Sequence, residues 1–212
     1  MPTGRTRVHA LLPALWLLAA CGAAETSKPA ATPPATVVAP TTTAAAPAAP
    51  TNPQIARAQA AIAELRGRLK ARLTDAMAKG GAEAALRVCA EEAGPIREAV
   101  AKEMGVTVGR SSLRLRNPKD APPAWVVDWL QRQGERPAEG VTGLAELTGS
   151  PPVVHVLEPI RIDPPCLVCH GPKDQLAPGV AAVLAERYPN DEATGYAPGD
   201  LRGAFWAEVK GG

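Results

Sequence analysis

The segment Cys166-Leu167-Val168-Cys169-His170 constrains this chain more than any other. Two thiols three positions apart share one turn, where each can form a thioether to a vinyl group of a porphyrin. The adjoining imidazole then meets the iron, and C-x-x-C-H is the attachment sequence of heme c. A covalent tether lets even a shallow pocket keep so large a flat hydrophobe. Other readings fit less well. A thioredoxin-type pair needs a strand-to-helix junction, which Pro164-Pro165 before the motif and Gly171-Pro172 after it do not favour. A structural zinc takes four ligands, and the segment supplies only Cys166, Cys169 and His170. A plain Cys166–Cys169 disulfide is the alternative without a cofactor. The expected cofactor is one covalent heme c, with His170 as an iron ligand.

Heme c is assembled outside the cytoplasm, and the N-terminus agrees. Arg5 and Arg7 precede a short apolar run, Leu11 to Ala20, too short to span a bilayer. Residues 1–20 therefore read as a signal peptide. Leu18-Ala19-Ala20-Cys21 resembles a bacterial lipobox, whose cysteine is acylated; ordinary cleavage near Ala20 is the alternative. Multiple acyl chains on Cys21 would anchor the protein stably to a membrane. From Ala23 to Asn52 the chain is mostly Ala, Thr, Pro and Val, a composition that cannot bury a core. As a polyproline-like tether it would reach on the order of 90 Å. The expected organisation is signal peptide over 1–20, lipidated Cys21 and tether over 21–52, and one heme c domain over 53–212. The expected location is the periplasmic side of a bacterial membrane, inner or outer.

Charge limits the partners. Arg5 and Arg7 leave with the signal, so 23 Lys+Arg fall to 21 against 21 Asp+Glu. A neutral chain whose basic residues gather only over Arg110 to Arg116 is not expected to bind nucleic acid. The partners it suits are a membrane through the lipid anchor, a periplasmic redox protein, or a diatomic gas. Past Asn52 the aromatics are only Trp125, Trp129, Tyr188, Tyr196, Phe205 and Trp206. Aromatics usually dominate burial, so heme would supply much of the apolar surface.

The domain reads as α+β, helices first and then mixed elements. Asn52-Pro53 opens a helix with Ile55, Ile62, Leu65, Leu69 and Leu73 at helical spacing until Gly80-Gly81. A second helix runs from Ala82 to Glu92, with Ala85, Leu86, Cys89 and Ala93 on an inward face. Gly94-Pro95 should break it before a short helix from Ile96 to Met104. Val106 to Arg116 alternates like a strand, with a bulge expected at Gly109. Pro122-Pro123 opens a helix bearing Trp125 and Trp129. Gly134 to Ser150 reads as a connector and Val153 to Ile162 as a strand. One more helix, near Val180 to Arg187, precedes turn-rich chain.

The position opposite His170 has several candidates. Lipidation and heme attachment use three of the four cysteines. Cys89 is left over, an unpaired thiol in an oxidising compartment and a good iron ligand. His155, Met77, Met104 and an open or water-bound iron compete with it. Arg110, Arg114, Arg116 and Arg202 are candidates to pair with the heme propionates. Tyr196 is a candidate hydrogen-bond donor, and Trp125 a candidate to pack on the macrocycle.

The run from Gly109 to Pro118 with Ala121-Pro122 and Trp125, the segment Cys166 to Gly171, Tyr188-Pro189-Asn190-Asp191, Gly195-Tyr196 and Gly199 to Ala204 together resemble a family of bacterial exported monoheme c domains. The resemblance covers nearly all of Ala82 to Phe205. Such domains occur alone and as sensory modules of signal transducers, mostly without an assigned function. The resemblance implies a single PAS-like domain with N-terminal helices, a small antiparallel sheet, heme bound through His170, and Cys89 as the opposite ligand. Thiolate donation favours ferric iron. A redox or small-ligand sensor for NO or CO is therefore the first functional expectation, and periplasmic electron transfer the alternative. A peroxidase-like enzyme is third, since it needs distal acid-base groups and His155 is the spare histidine. An enzymatic role is not expected.

Overall fold

The computed structural model describes residues 52–134 and 137–211. The signal peptide, Cys21 and the tether up to residue 51 lie outside the described residues. Helix α1 spans Pro53–Glu91, capped by Asn52, whose side chain accepts the Gln54 amide at 2.9 Å. The expected break at Gly80-Gly81 is present as a kink: Gly81 holds φ +66°, a conformation open to glycine, between two helical stretches. Helix α2, Ala93–Met104, starts earlier than expected. Gly94 and Pro95 fall in its first turn, where an amide has no helical partner and proline is tolerated.

Among the described residues four strands follow: β1 Thr107–Ser111, β2 Leu144–Thr148, β3 Val153–Arg161 and β4 Leu201–Lys210. They form one antiparallel sheet in the order β1-β4-β3-β2. Between them lie α3 (Ala124–Gln133), the single turn α4 (Leu167–His170) and α5 (Val180–Arg187). The α+β class is as the sequence implied. Among the described residues no helix is long and apolar enough to cross a membrane.

Three apolar clusters build the domain. Ala58, Ala61, Ile62 and Leu65 of α1 and Val100 of α2 cover one sheet face through Val108, Val154, Val156, Phe205, Ala207 and Val209. Val126, Trp129 and Leu130 of α3 cover the other through Leu157, Ala204 and Trp206. Leu86 of α1 packs on Val180, Val183 and Leu184 of α5 and on Tyr188, against Cys169. Period-four spacing on α1 places its stripe against the sheet, and period-two alternation divides each strand between the two faces.

Several expectations are corrected. The first strand stops at Ser111, because the Ser112 hydroxyl accepts the Arg114 amide at 3.0 Å and turns the chain out of the sheet. Leu113 is consequently exposed. Gly109 is no bulge but pairs in register with Trp206. Strand β2 occupies part of the expected connector, and β4 the chain expected to be turns. Both faces of β4 are covered, so its side chains are buried almost without interruption and show no alternation.

Candidate functional site

The Cys-x-x-Cys-His turn caps a cleft between the kinked end of α1, the end of β1 and the end of β3. The cleft is open to solvent and is lined by both motif cysteines, His170, Cys89, Met77 and Arg110, among others. Asp163-Pro164-Pro165 leads in through a 3₁₀ turn, Pro164–Cys166, and α4 then carries Cys169 and His170 on a single helical turn. Cys89, Cys166 and Cys169 are free thiols. Burial pushes the Cys169 thiol up, Arg116 opposing it.

His170 is held from behind. Its Nδ1–H donates to the Ala193 carbonyl at 2.7 Å, which fixes the tautomer and leaves Nε2 as the nitrogen available to a metal. Burial, reinforced by the cations of Arg116 and Arg202, pushes the imidazole down to about 3. It is therefore neutral near pH 7, the form that ligates a metal. The Tyr196 amide donates to the His170 carbonyl at 3.0 Å, and the Gly195 amide to that of Gly171 at 2.7 Å. The 191–196 loop is thus latched along the motif.

The four candidate arginines separate. Arg116 lines the cleft, but its guanidinium is engaged: Nε and Nη2 hold Asp191 at 3.0 and 3.3 Å, and Nη2 also donates to the carbonyls of Cys169 and Ala193. These bonds brace the Cys-x-x-Cys-His turn. Arg114 turns away, donating to the carbonyls of Glu192 and Thr194, with its guanidinium over the Tyr196 ring. Arg110 and Arg202 line the cleft with no carboxylate partner among the described residues. Arg202 has one long bond, to the Arg114 carbonyl at 3.4 Å, and burial pushes its guanidinium down to about 10. Burying the Arg202 cation without a counter-charge is costly, so it remains, with Arg110 in the same cleft, as a group for an anion.

Two aromatic expectations change. Trp125 does not line the cleft; it lies on the α3 side of the sheet, stacked on His155 with centroids 4.2 Å apart. Tyr196 stands behind His170, edge-on at 6.4 Å between centroids, and lines a neighbouring pocket with Arg114 and Arg202. Of the candidates for the position opposite His170, Cys89 and Met77 line the cleft. Met104 packs in the α1–α2 core, and His155 faces Glu208 and Trp125. Sequence reasoning gave no role to Asp191, although it stands in the Tyr188–Asp191 segment. A lone carboxylate there carries no mark of the guanidinium it will meet.

The donor set suits a c-type heme: two free thiols on the motif turn, a neutral imidazole, a thiol and a thioether on α1, and two cations with no carboxylate partner among the described residues. A family model described as Tll0287-like matches residues 30–209. Among solved structures, the crystal structure of the cyanobacterial heme protein Tll0287 aligns with a TM-score of 0.53 at 23% identity. It covers 72% of this chain and 94% of that one, and at such identity the likeness concerns the fold. No curated protein matches. With the family model spanning most of its length, this chain belongs to the Tll0287-like family.

Proposed function

We propose that the chain binds one heme c and serves as a redox or diatomic-gas sensor on the periplasmic side of a bacterial membrane. The observation that carries the reading is the tethered His170, Nδ1 on the Ala193 carbonyl, in a cleft shared by Cys89, Cys166 and Cys169. Membership in a family that includes a heme protein supports it. Cys166 and Cys169 would be the thioether sulfurs, each S–H adding across a vinyl group with sulfur on one carbon and hydrogen on its neighbour and no net electron transfer. His170 and Cys89, which line the same cleft, would hold the iron. Arg110 and Arg202 are placed to hold propionates as charge-assisted pairs. When bound, the heme would supply a one-electron redox centre.

Cys89 favours the ferric state as a thiolate, and sulfur is the weaker ligand after reduction. That property suits a sensor whose reduced form admits NO or CO beside α1. Acylated Cys21 and the proline-rich segment after it would hold the domain at the membrane and away from its surface. His155, the residue that distal acid-base chemistry would require, lies on the other sheet face, which disfavours a peroxidase.

The test is spectroscopic. The protein matured in a cytochrome c-competent host should keep its pigment through acid-acetone extraction. Oxidised, it should give a low-spin thiolate signal in optical and EPR spectra, and the reduced form should bind CO. Pigment extracted into the organic layer overturns the heme c assignment. A reduced form that takes neither CO nor NO replaces sensing with electron transfer.

A further inference from the structure

We infer that Arg116 and Asp191 are positioning residues that set how strongly the His170 imidazole donates to iron, acting through the Ala193 carbonyl. This rests on the heme reading above.

The Ala193 backbone is held on both sides of its Cα, through the two peptide groups that flank it. Its N–H donates to Asp191 Oδ1 at 3.1 Å. Its carbonyl accepts from His170 Nδ1 at 2.7 Å and from Arg116 Nη2 at 3.2 Å. Arg116 and Asp191 close the circuit with their own pair at 3.0 Å, both side chains below a tenth exposed. The same guanidinium nitrogen reaches the Cys169 carbonyl at 2.7 Å, so one cation touches the backbone on both sides of the imidazole.

A histidine whose N–H meets a strong acceptor gains imidazolate character and becomes a stronger metal ligand. A carbonyl already polarised by a guanidinium is a weaker acceptor. Arg116 therefore restrains donation from His170, and its charge, little screened by solvent, disfavours the ferric state. Asp191 opposes both effects by neutralising that charge. A buried ion pair adds little net stability over an apolar pair of the same volume, so fold stability alone does not account for it.

The two partners consequently predict opposite signs. Native chain and the variants Arg116→Gln, Arg116→Lys and Asp191→Asn are matured with heme, checked by acid-acetone extraction, and titrated for midpoint potential. Arg116→Gln should move the potential negative and Asp191→Asn positive. Arg116→Lys keeps the charge but loses the planar fork, and should fall between native and Arg116→Gln. Merely structural roles would shift both charge variants the same way, and that result overturns the inference. So does Arg116→Lys matching the native potential. If Arg116→Gln does not accumulate, the Lys and Asn variants decide by the same signs. Pigment lost from the native chain overturns the heme reading itself; pigment retained with unmoved potentials overturns only the role of Arg116 and Asp191.

Discussion

Gly109 of β1 stands opposite Trp206 of β4, and the indole lies so close across it that a Cβ would meet the ring at 2.5 Å. The Trp206 Nε1–H reaches Ser111 Oγ at 3.0 Å from within the core. The glycine is a seat for the indole, and the serine two residues on satisfies its donor. Gly109→Ala should overpack this seat and cost about 1–3 kcal/mol in a denaturant melt. Ser111→Ala should cost roughly 1–3 kcal/mol by leaving a buried N–H unpaired. An alanine variant at Gly109 as stable as the native chain would contradict the packing.

Trp125 on His155 offers a second check, because it places an aromatic away from the cleft. Their rings are nearly parallel, 6° between planes, and Trp206 meets Trp125 edge-on at 6.0 Å. His155→Ala should cost about 1–2 kcal/mol from the lost stacking and burial. It should leave the heme absorption bands where they are. Trp125→Phe should likewise be silent in the heme spectrum. Displaced bands in either variant would put Trp125 against the macrocycle after all.

What the sequence reveals about this molecule follows how far apart the interacting residues lie. The Cys166–His170 turn is legible because its chemistry is confined to one helical turn. Helix α1 is legible through Ile62 and Leu65, repeated at helical spacing on one covered face. Strand β4 is not, since Phe205 packs under α1 and Trp206 under α3, and burial on both faces erases the alternation. The arginines show the same limit: Arg114 and Arg116 differ from Arg110 only in that carbonyls and a carboxylate of the 191–196 loop come to meet them. Cys89 is legible as the leftover thiol, whereas Met77 reaches the same cleft from the other side of the Gly80-Gly81 kink, a relation its spacing does not show.

Arg72 of α1 joins that helix to the start of α2, holding Glu92 through two bonds of 2.7 Å while also reaching Asp75 at 3.0 Å. The hydrogen bond from Arg72 keeps the Glu92 carboxyl below the usual carboxylate range. A carboxylate lowered on folding stabilises the native state above its unfolded value and loses that effect as pH falls through the folded one. The stability of the native chain should therefore decline below the ordinary glutamate range, near pH ~4. Glu92→Gln should remove part of the decline. The pair is open to solvent, so the difference should be small and shrink in molar salt. Matching pH profiles of native and Gln variant at low salt would count against the link.

Cys89 and Met77 stand on either side of the α1 kink and line the same cleft as His170. Replacing each asks which sulfur the iron uses. Cys89→Ala should abolish the thiolate EPR signature and raise the midpoint potential, since an anionic donor that favours ferric iron is gone. Covalent pigment should persist, because Cys166 and Cys169 are untouched. Met77→Leu conserves volume and should cost under about 1.5 kcal/mol while leaving the oxidised spectrum unchanged. If Met77→Leu instead alters the oxidised spectrum and Cys89→Ala does not, the thioether is the ligand and the thiolate reading fails.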